Sequence, residues 1–196
     1  KWNGGDMSKG QGGGQKICYL IKYIKDFDPE QLILVSDSYD VIMSSNSREI
    51  IKKFNKFNRP IVFAAEPCCW PDKSLADRYP NVKSNNKYLN SGGFIGKAKD
   101  ILKILPKSFE PYKDDQLYYT QQFLCPNTTI TLDYQCNIFQ CLNNAENDTE
   151  ILYSKSRVKN KITGTEPCQI HGNGPNSRKL YLNKLESYLC RNWTNI

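Results

Sequence analysis

Two aspartates, Asp37 and Asp40, sit in Ser36-Asp37-Ser38-Tyr39-Asp40, directly after a run of apolar residues. Carboxylates at this spacing on a turn can converge on one divalent cation. Hard oxygen donors suit Mg²⁺ or Mn²⁺, ions that bridge phosphate oxygens. The same two side chains can instead hydrogen-bond nearby backbone N–H groups and simply stabilise the turn. The one histidine of the chain, His171, lies in His171-Gly172-Asn173-Gly174-Pro175. The flanking glycines expose backbone N–H groups to an anion and leave the imidazole unhindered. A nitrogen donor beside two carboxylates would shift the metal from Mg²⁺ toward Mn²⁺. Either motif alone reads as ordinary structure, but the two together point to a metal site.

Further acidic and aromatic residues belong to the same edge. Asp114 and Asp115 precede Gln116-Leu117-Tyr118-Tyr119, where acids at a helix N-terminus are favoured by the macrodipole. A functional reading places one of them near a reacting sugar, binding a hydroxyl or steadying positive charge. Glu66, Cys69, Trp70 and Asn90-Ser91-Gly92-Gly93 follow the next strands. Trp70 could stack on the C–H face of a sugar or pack in the core, and Tyr39 could stack on a base.

These residues need a frame, and the apolar pattern supplies one. Ile17, Leu20, Ile21, Ile24 and Phe27 recur at helical spacing, so Gln15 to about Phe27 is expected to be a helix. Gln31–Ser36 and Ile61–Ala65 are continuous apolar runs that suit buried strands. Ser47 is placed to cap a helix running to Phe57. Helices alternating with such strands predict an α/β domain with a mostly parallel, Rossmann-like sheet, in which ligands bind at the carboxyl ends of strands. Residues 66–90 form a long connection of the kind that carries function. Gly92–Gly96 reads as a short strand, 97–105 and 114–124 as helices. Strand-like runs at 129–132, 150–153, 157–162 and 168–171 lead to a last helix near 177–189.

The composition excludes some function classes. With 39% hydrophobic and 12% aromatic residues the chain can bury a core, so it is not a disordered segment. No run reaches the roughly 18 apolar residues of a membrane-spanning helix. A formal charge of +7 over 196 residues admits an anionic partner, yet the cations are scattered in sequence without a basic–aromatic stripe, which argues against nucleic acid. Eight cysteines would allow four disulfides, but no C-x-x-C pair exists for zinc or redox work. Three N-x-T sequons, at Asn127, Asn147 and Asn192, would accept glycans in a secretory lumen; the compartment stays open, a host cell included if the source is viral.

Eight segments in order carry a family resemblance: Trp2–Asp6, Gly12–Lys16, Val35–Ile42, Ala65–Pro71, Leu89–Gly96, Tyr112–Thr120, Ile138–Gln140 and His171–Pro175. Together they resemble the N-terminal glycosyltransferase domain of the multifunctional procollagen lysyl hydroxylases and related stand-alone enzymes. The resemblance implies a single GT-A-type domain over residues 1–196 and Mn²⁺-dependent, retaining transfer of glucose from UDP-glucose to galactosyl-hydroxylysine of collagen or a collagen-like chain. It makes Asp37, Asp40 and His171 the metal ligands and sets Tyr39 on uracil. Lys16, Asn173, Gly174 and Lys179 would meet ribose or diphosphate, and Trp2 and Met7 would border the nucleotide. Asp114 and Asp115 would face the transferred sugar, while Glu66 and Trp70 shape the acceptor side. The acidic run here has only two aspartates, and Asn176-Ser177-Arg178 separates the glycine motif from Lys179. Such domains open with a strand–helix–strand unit, so a chain that starts on Lys1-Trp2 is expected to be part of a larger enzyme, lacking its first strands. A homodimer is left open. The rival readings are a UDP-galactose-dependent hydroxylysine galactosyltransferase and a non-catalytic module that grips nucleotide or collagen.

Overall fold

A computed structural model describes residues 12–174, 177 and 182–187. Its central sheet has four strands: β1 (Leu32–Ser36), β3 (Ile61–Glu66), β4 (Tyr88–Lys97) and β5 (Ile130–Leu132), in the order β1-β4-β3-β5. β4 runs antiparallel to both β1 and β3, and only β3 and β5 pair in parallel. The sheet is therefore mixed rather than mostly parallel. The continuous apolar runs arise because the strands are covered on both faces, which does not require parallel neighbours. Along β3, Ile61, Phe63 and Ala65 enter one core with Ile17, Ile101 and Tyr119, while Val62 and Ala64 enter another with Ile50, Phe54 and Phe139. β1 and β3 do point the same way, as a strand–helix–strand unit requires, but β4 returns between them.

Helices α1 (Gly14–Tyr23), α3 (Ala98–Ile104) and α4 (Asp115–Phe123) contribute to the first core, and α2 (Ser47–Phe57) to the second. The expected first helix ends at Tyr23, and Ile24–Asp26 tightens into a 3-10 turn. α2 has its expected span, but its cap is Asn46, one residue earlier than Ser47, with its side chain accepting from Glu49 N–H at 3.1 Å. Phe63 and Phe94 stack at 4.3 Å between ring centroids, with Tyr119 tilted against both. Burying each such ring is worth about 1.5–3 kcal/mol.

β4 is twice as long as the glycine pattern suggests, because Leu89 and Asn90 are buried despite their polar neighbourhood. Its pairing with β3 jumps from Phe63–Phe94 to Ala64–Asn90, so Ser91, Gly92 and Gly93 bulge away from β3. A second sheet joins β2 (Val41–Met43), β9 (Gln169–His171) and β6 (Phe139–Cys141), with β2 antiparallel and β6 parallel to β9. β2 and β6 are too short to be legible in the sequence. β7 (Thr149–Leu152) and β8 (Arg157–Asn160) form a hairpin. Residues 183–187 are helical, within the expected last helix. The seven described cysteines are free thiols. Among the described residues no helix is long and apolar enough to cross a membrane.

Candidate metal centre and its cleft

The carboxyl ends of β1 and β3 open into a cleft of about 670 Å³, lined in part by Lys16, Asp37, Asp40, Asp115, Trp70 and His171. β1 delivers Asp37, whose N–H donates to Gly92 C=O at 3.1 Å. The β2–β9 register sets Val41 opposite His171, and Gly172 N–H donates to Asp40 C=O at 2.7 Å. The turn at the end of β1 and the distant histidine strand are thereby sewn together. One donor atom each from Asp37, Asp40 and His171 lies within 4.8 Å of the others. His171 Nε2 is 3.6 Å from an Asp37 oxygen and 3.4 Å from an Asp40 oxygen. Two hard oxygens and one imidazole nitrogen form a donor set that fits Mn²⁺.

The orientation of the imidazole follows from a hydrogen-bond chain. Gly92 N–H donates to Asn90 Oδ1 at 2.9 Å and Asn90 Nδ2 donates to Glu66 Oε1 at 2.8 Å, which identifies the two ends of the amide. His171 Nδ1, 3.1 Å from that same Oδ1, must then be the protonated nitrogen. Nε2 is then the nitrogen that faces the aspartates, where a metal ligand would need it. Gly92 has no room for a side chain, since a Cβ there would lie 2.1 Å from His171 Cε1.

Glu66, 3% exposed, is the hub beneath the cleft. It accepts from Asn90, from Gln116 Nε2 at 2.8 Å and from Asn173 Nδ2 at 2.9 Å. Burial raises its carboxyl above the usual range, and these amides oppose the shift. Gln116 also accepts from Ser91 N–H at 3.1 Å and donates to Trp70 C=O at 3.2 Å. Asn173 further accepts from the N–H groups of Leu142 and Asn143 at 3.0 and 3.1 Å, so both lone pairs of its carbonyl oxygen are in use. Gly174, at φ +89°, lies against Asn143, where a Cβ would clash.

Lys16 bridges Asp37 to α4. Its Nζ lies 2.7 Å from Asp37 Oδ1 and 2.9 Å from Asp115 Oδ2. Burial alone would lower the ammonium, but Asp115 and Asp37 outweigh it and hold the pKa raised. Burial also pushes up the Asp115 carboxyl, against the pull of Lys16. Gly13, at φ +84°, packs on Asp115 where a Cβ would meet the carboxylate at 1.8 Å. This is why glycine precedes α1. Asp114 plays a different part: its side chain caps α4, accepting from Leu117 N–H at 2.7 Å.

Trp70, 45% exposed, stands on the wall of the cleft, and Tyr39, 84% exposed, on the turn between the two aspartates. Trp2, Met7 and Lys179 lie outside the described residues. Sequence reasoning gave Asn90 no role and passed over Gln116 and Asn143. Buried amides have no periodic signature, though a polar residue inside an otherwise buried strand, as at Asn90, is such a signal.

Comparison with known proteins follows the same lines. The model of a family described as the PLOD GT domain matches residues 1–196. The chain is 41% identical over 203 residues to procollagen-lysine,2-oxoglutarate 5-dioxygenase 2 of Mus musculus, covering 99% of this chain and 27% of that protein. It is 39% identical to the multifunctional procollagen lysine hydroxylase and glycosyltransferase LH3 of Homo sapiens, again over 99% and 27%. An uncharacterized protein of Acanthamoeba polyphaga mimivirus is 40% identical, over 96% of this chain and 41% of its own length. The chain thus spans only about a quarter of the animal relatives it matches, 27%. With the family model matching end to end and Asp37, Asp40 and His171 brought together in the fold, the chain belongs to the PLOD GT domain family of glycosyltransferase domains.

Proposed function

We infer that this domain transfers glucose, with retention, from UDP-glucose to galactosyl-hydroxylysine of collagen or a collagen-like chain in a Mn²⁺-dependent reaction. The observation that carries this reading is the convergence of Asp37, Asp40 and His171 in a cleft that also holds Lys16 and Asp115. Asp37, Asp40 and His171 would hold Mn²⁺, which supplies positive charge to the departing diphosphate. Lys16 stays cationic between its two aspartates and offers a second positive charge to phosphate oxygens. Asp115 presents a carboxylate to the cleft, suited to steady oxocarbenium-like charge on the sugar, while Asp114 holds the N-terminus of α4. The exposed rings of Tyr39 and Trp70 offer stacking faces to uracil and to the acceptor sugar. Asn173 and Gly174 are assigned to the nucleotide side, and the family resemblance assigns Trp2, Met7 and Lys179, outside the described residues, to the same side. Glu66 fixes the floor on the acceptor side through its three amide donors.

The test is UDP release from UDP-glucose and UDP-galactose, with galactosyl-hydroxylysine and plain hydroxylysine peptides as acceptors, in Mn²⁺. Turnover is expected with UDP-glucose and the galactosylated acceptor, and Asp37→Ala should lower it about a hundredfold or more. Preference for UDP-galactose and plain hydroxylysine would overturn the donor assignment. Tight UDP binding without turnover on any acceptor would make the domain a binding module instead.

A further inference from the structure

A second cavity, of about 450 Å³, lies near the cleft that holds His171. Six uncharged polar residues line it, Asn85, Asn86, Gln135 and Asn160 among them, and its two charges, Lys83 and Asp148, are of opposite sign. The walls are tied together by hydrogen bonds between distant segments. Ser84 Oγ donates to Tyr134 C=O at 2.8 Å and accepts from Asn86 N–H at 3.1 Å. Lys161 N–H donates to Asp148 C=O at 2.7 Å, fastening the turn after β8 to the turn before β7. Asn160 is spent on this frame: its Nδ2 donates to Gln140 Oε1, and its Oδ1 accepts from the N–H groups of Ile162 and Thr163.

Asn86 is not spent in this way. It is 5% exposed, its Nδ2 donates to Cys136 Sγ at 3.2 Å, and its Oδ1 has no hydrogen-bond partner. Turning the amide over would put Oδ1 on the Cys136 thiol and leave Nδ2 without an acceptor instead. In either orientation one buried polar atom of a cavity-lining residue lacks a partner, a costly arrangement that a bound polar group would relieve.

The lining selects the chemistry of that group. Balanced charges do not favour a phosphate or another anion. Among the described residues no aromatic ring lines the cavity, so the C–H face of a sugar has no platform. Side-chain amides, each both donor and acceptor, match backbone amides. A polypeptide in polyproline II form leaves its N–H and C=O groups without internal partners, and glycines in it let the backbone come close.

The position of the cavity names the polypeptide. Asn86 lines the cavity and Asn90 the cleft, so the two sites lie at most about 14 Å apart along the chain that enters β4. Asn143 and Asp148 link the same two sites on the other side. An extended peptide covers that distance in about four residues. We propose that the cavity binds the backbone of a glycine-rich, collagen-like acceptor chain a few residues from the hydroxylysine whose sugar lies in the cleft. This role rests on the acceptor class given under Proposed function.

The test uses the 196-residue chain and a fluorescent single-chain peptide of Gly-X-Y repeats with unmodified lysine, followed by polarisation without Mn²⁺ or nucleotide. Asn86→Leu exchanges the unpartnered amide for an apolar side chain of similar volume. Its thermal melting should hold or rise while peptide binding falls about tenfold. Asn85→Ala/Gln135→Ala changes two exposed side chains, leaves the fold intact and should weaken binding in the same direction. In transfer assays both variants should raise KM about tenfold for a peptide-borne acceptor at unchanged kcat, and use free galactosyl-hydroxylysine like the parent. A parent that does not bind the peptide, or folded variants that bind it equally well, would overturn the proposal. A neutral trisaccharide that loses affinity in the variants while the peptide does not would make the cavity a sugar site and overturn it too. Peptide binding that the variants lose, in a parent that transfers no sugar, would uphold the docking site and sink the transferase reading alone.

Discussion

His171 donates its Nδ1 proton to Asn90 Oδ1 across 3.1 Å, and this contact leaves Nε2 as the nitrogen that faces Asp37 and Asp40. Replacing Asn90 with leucine removes the acceptor while roughly keeping the volume. Mn²⁺ affinity is then expected to fall about 10–100-fold, the usual cost of losing the group that orients a metal-binding histidine. Nitrogen-15 NMR of the imidazole should show a mixture of tautomers in place of one. Unchanged affinity and an unchanged spectrum would mean that the histidine is oriented by packing alone.

Gly92→Ala tests the same centre by crowding. The new Cβ would sit 2.1 Å from His171 Cε1 and 2.4 Å from Nδ1, in a site where the ring is already pinned. The expected cost is about 1–3 kcal/mol of stability, with weaker Mn²⁺ binding by electron paramagnetic resonance titration. A variant that binds Mn²⁺ like the parent would show that the ring has room to shift.

Lys16→Met leaves Asp115, with a side chain only 6% exposed, facing Asp37 without a counter-charge. Breaking a fully buried pair costs about 3–5 kcal/mol; because Lys16 keeps 31% exposure, roughly 2 kcal/mol is expected here. Adding Asp115→Asn should restore more than half of that loss in chemical denaturation. If the double variant is as unstable as the sum of the singles, the pair does not interact.

The two adjacent aspartates should separate cleanly. Burial raises the Asp114 carboxyl to about 6, against its hydrogen bond from Leu117 and with the help of the Asp115 charge. A carboxyl raised by folding holds its proton more tightly in the folded chain. Its stabilising contribution is therefore present at low pH and lost as pH rises through about 6. Between pH 7 and 4.5 this amounts to about 1 kcal/mol after allowing for partial exposure, and Asp114→Asn should flatten that part of the profile. Asparagine still caps a helix, so sugar transfer is expected to survive in Asp114→Asn and to be lost in Asp115→Asn. The reverse outcome would exchange their roles.

Much of the frame was legible because it is local. Ile50, Phe54 and the polar residues between them carry the period of α2, and Ile61–Ala65 could only be a buried element. The types of the candidate metal-binding side chains were equally plain, because the Asp37–Asp40 pair and the one histidine point to a metal only when taken together. Strand direction was not legible, because β4 is buried whichever way it runs. Nor was the difference between Asp114 and Asp115, which share chemistry and differ only in which side of the first turn of α4 they occupy.

The sequence by itself determined the periodicities, the buried strands and the donor atoms, all properties of residues close along the chain. Tertiary structure alone decided that β2 pairs with β9 and so carries His171 to Asp40, and that Lys16 reaches across to Asp115. These are contacts between residues far apart in sequence, fixed by register and layer packing, and no local pattern encodes them.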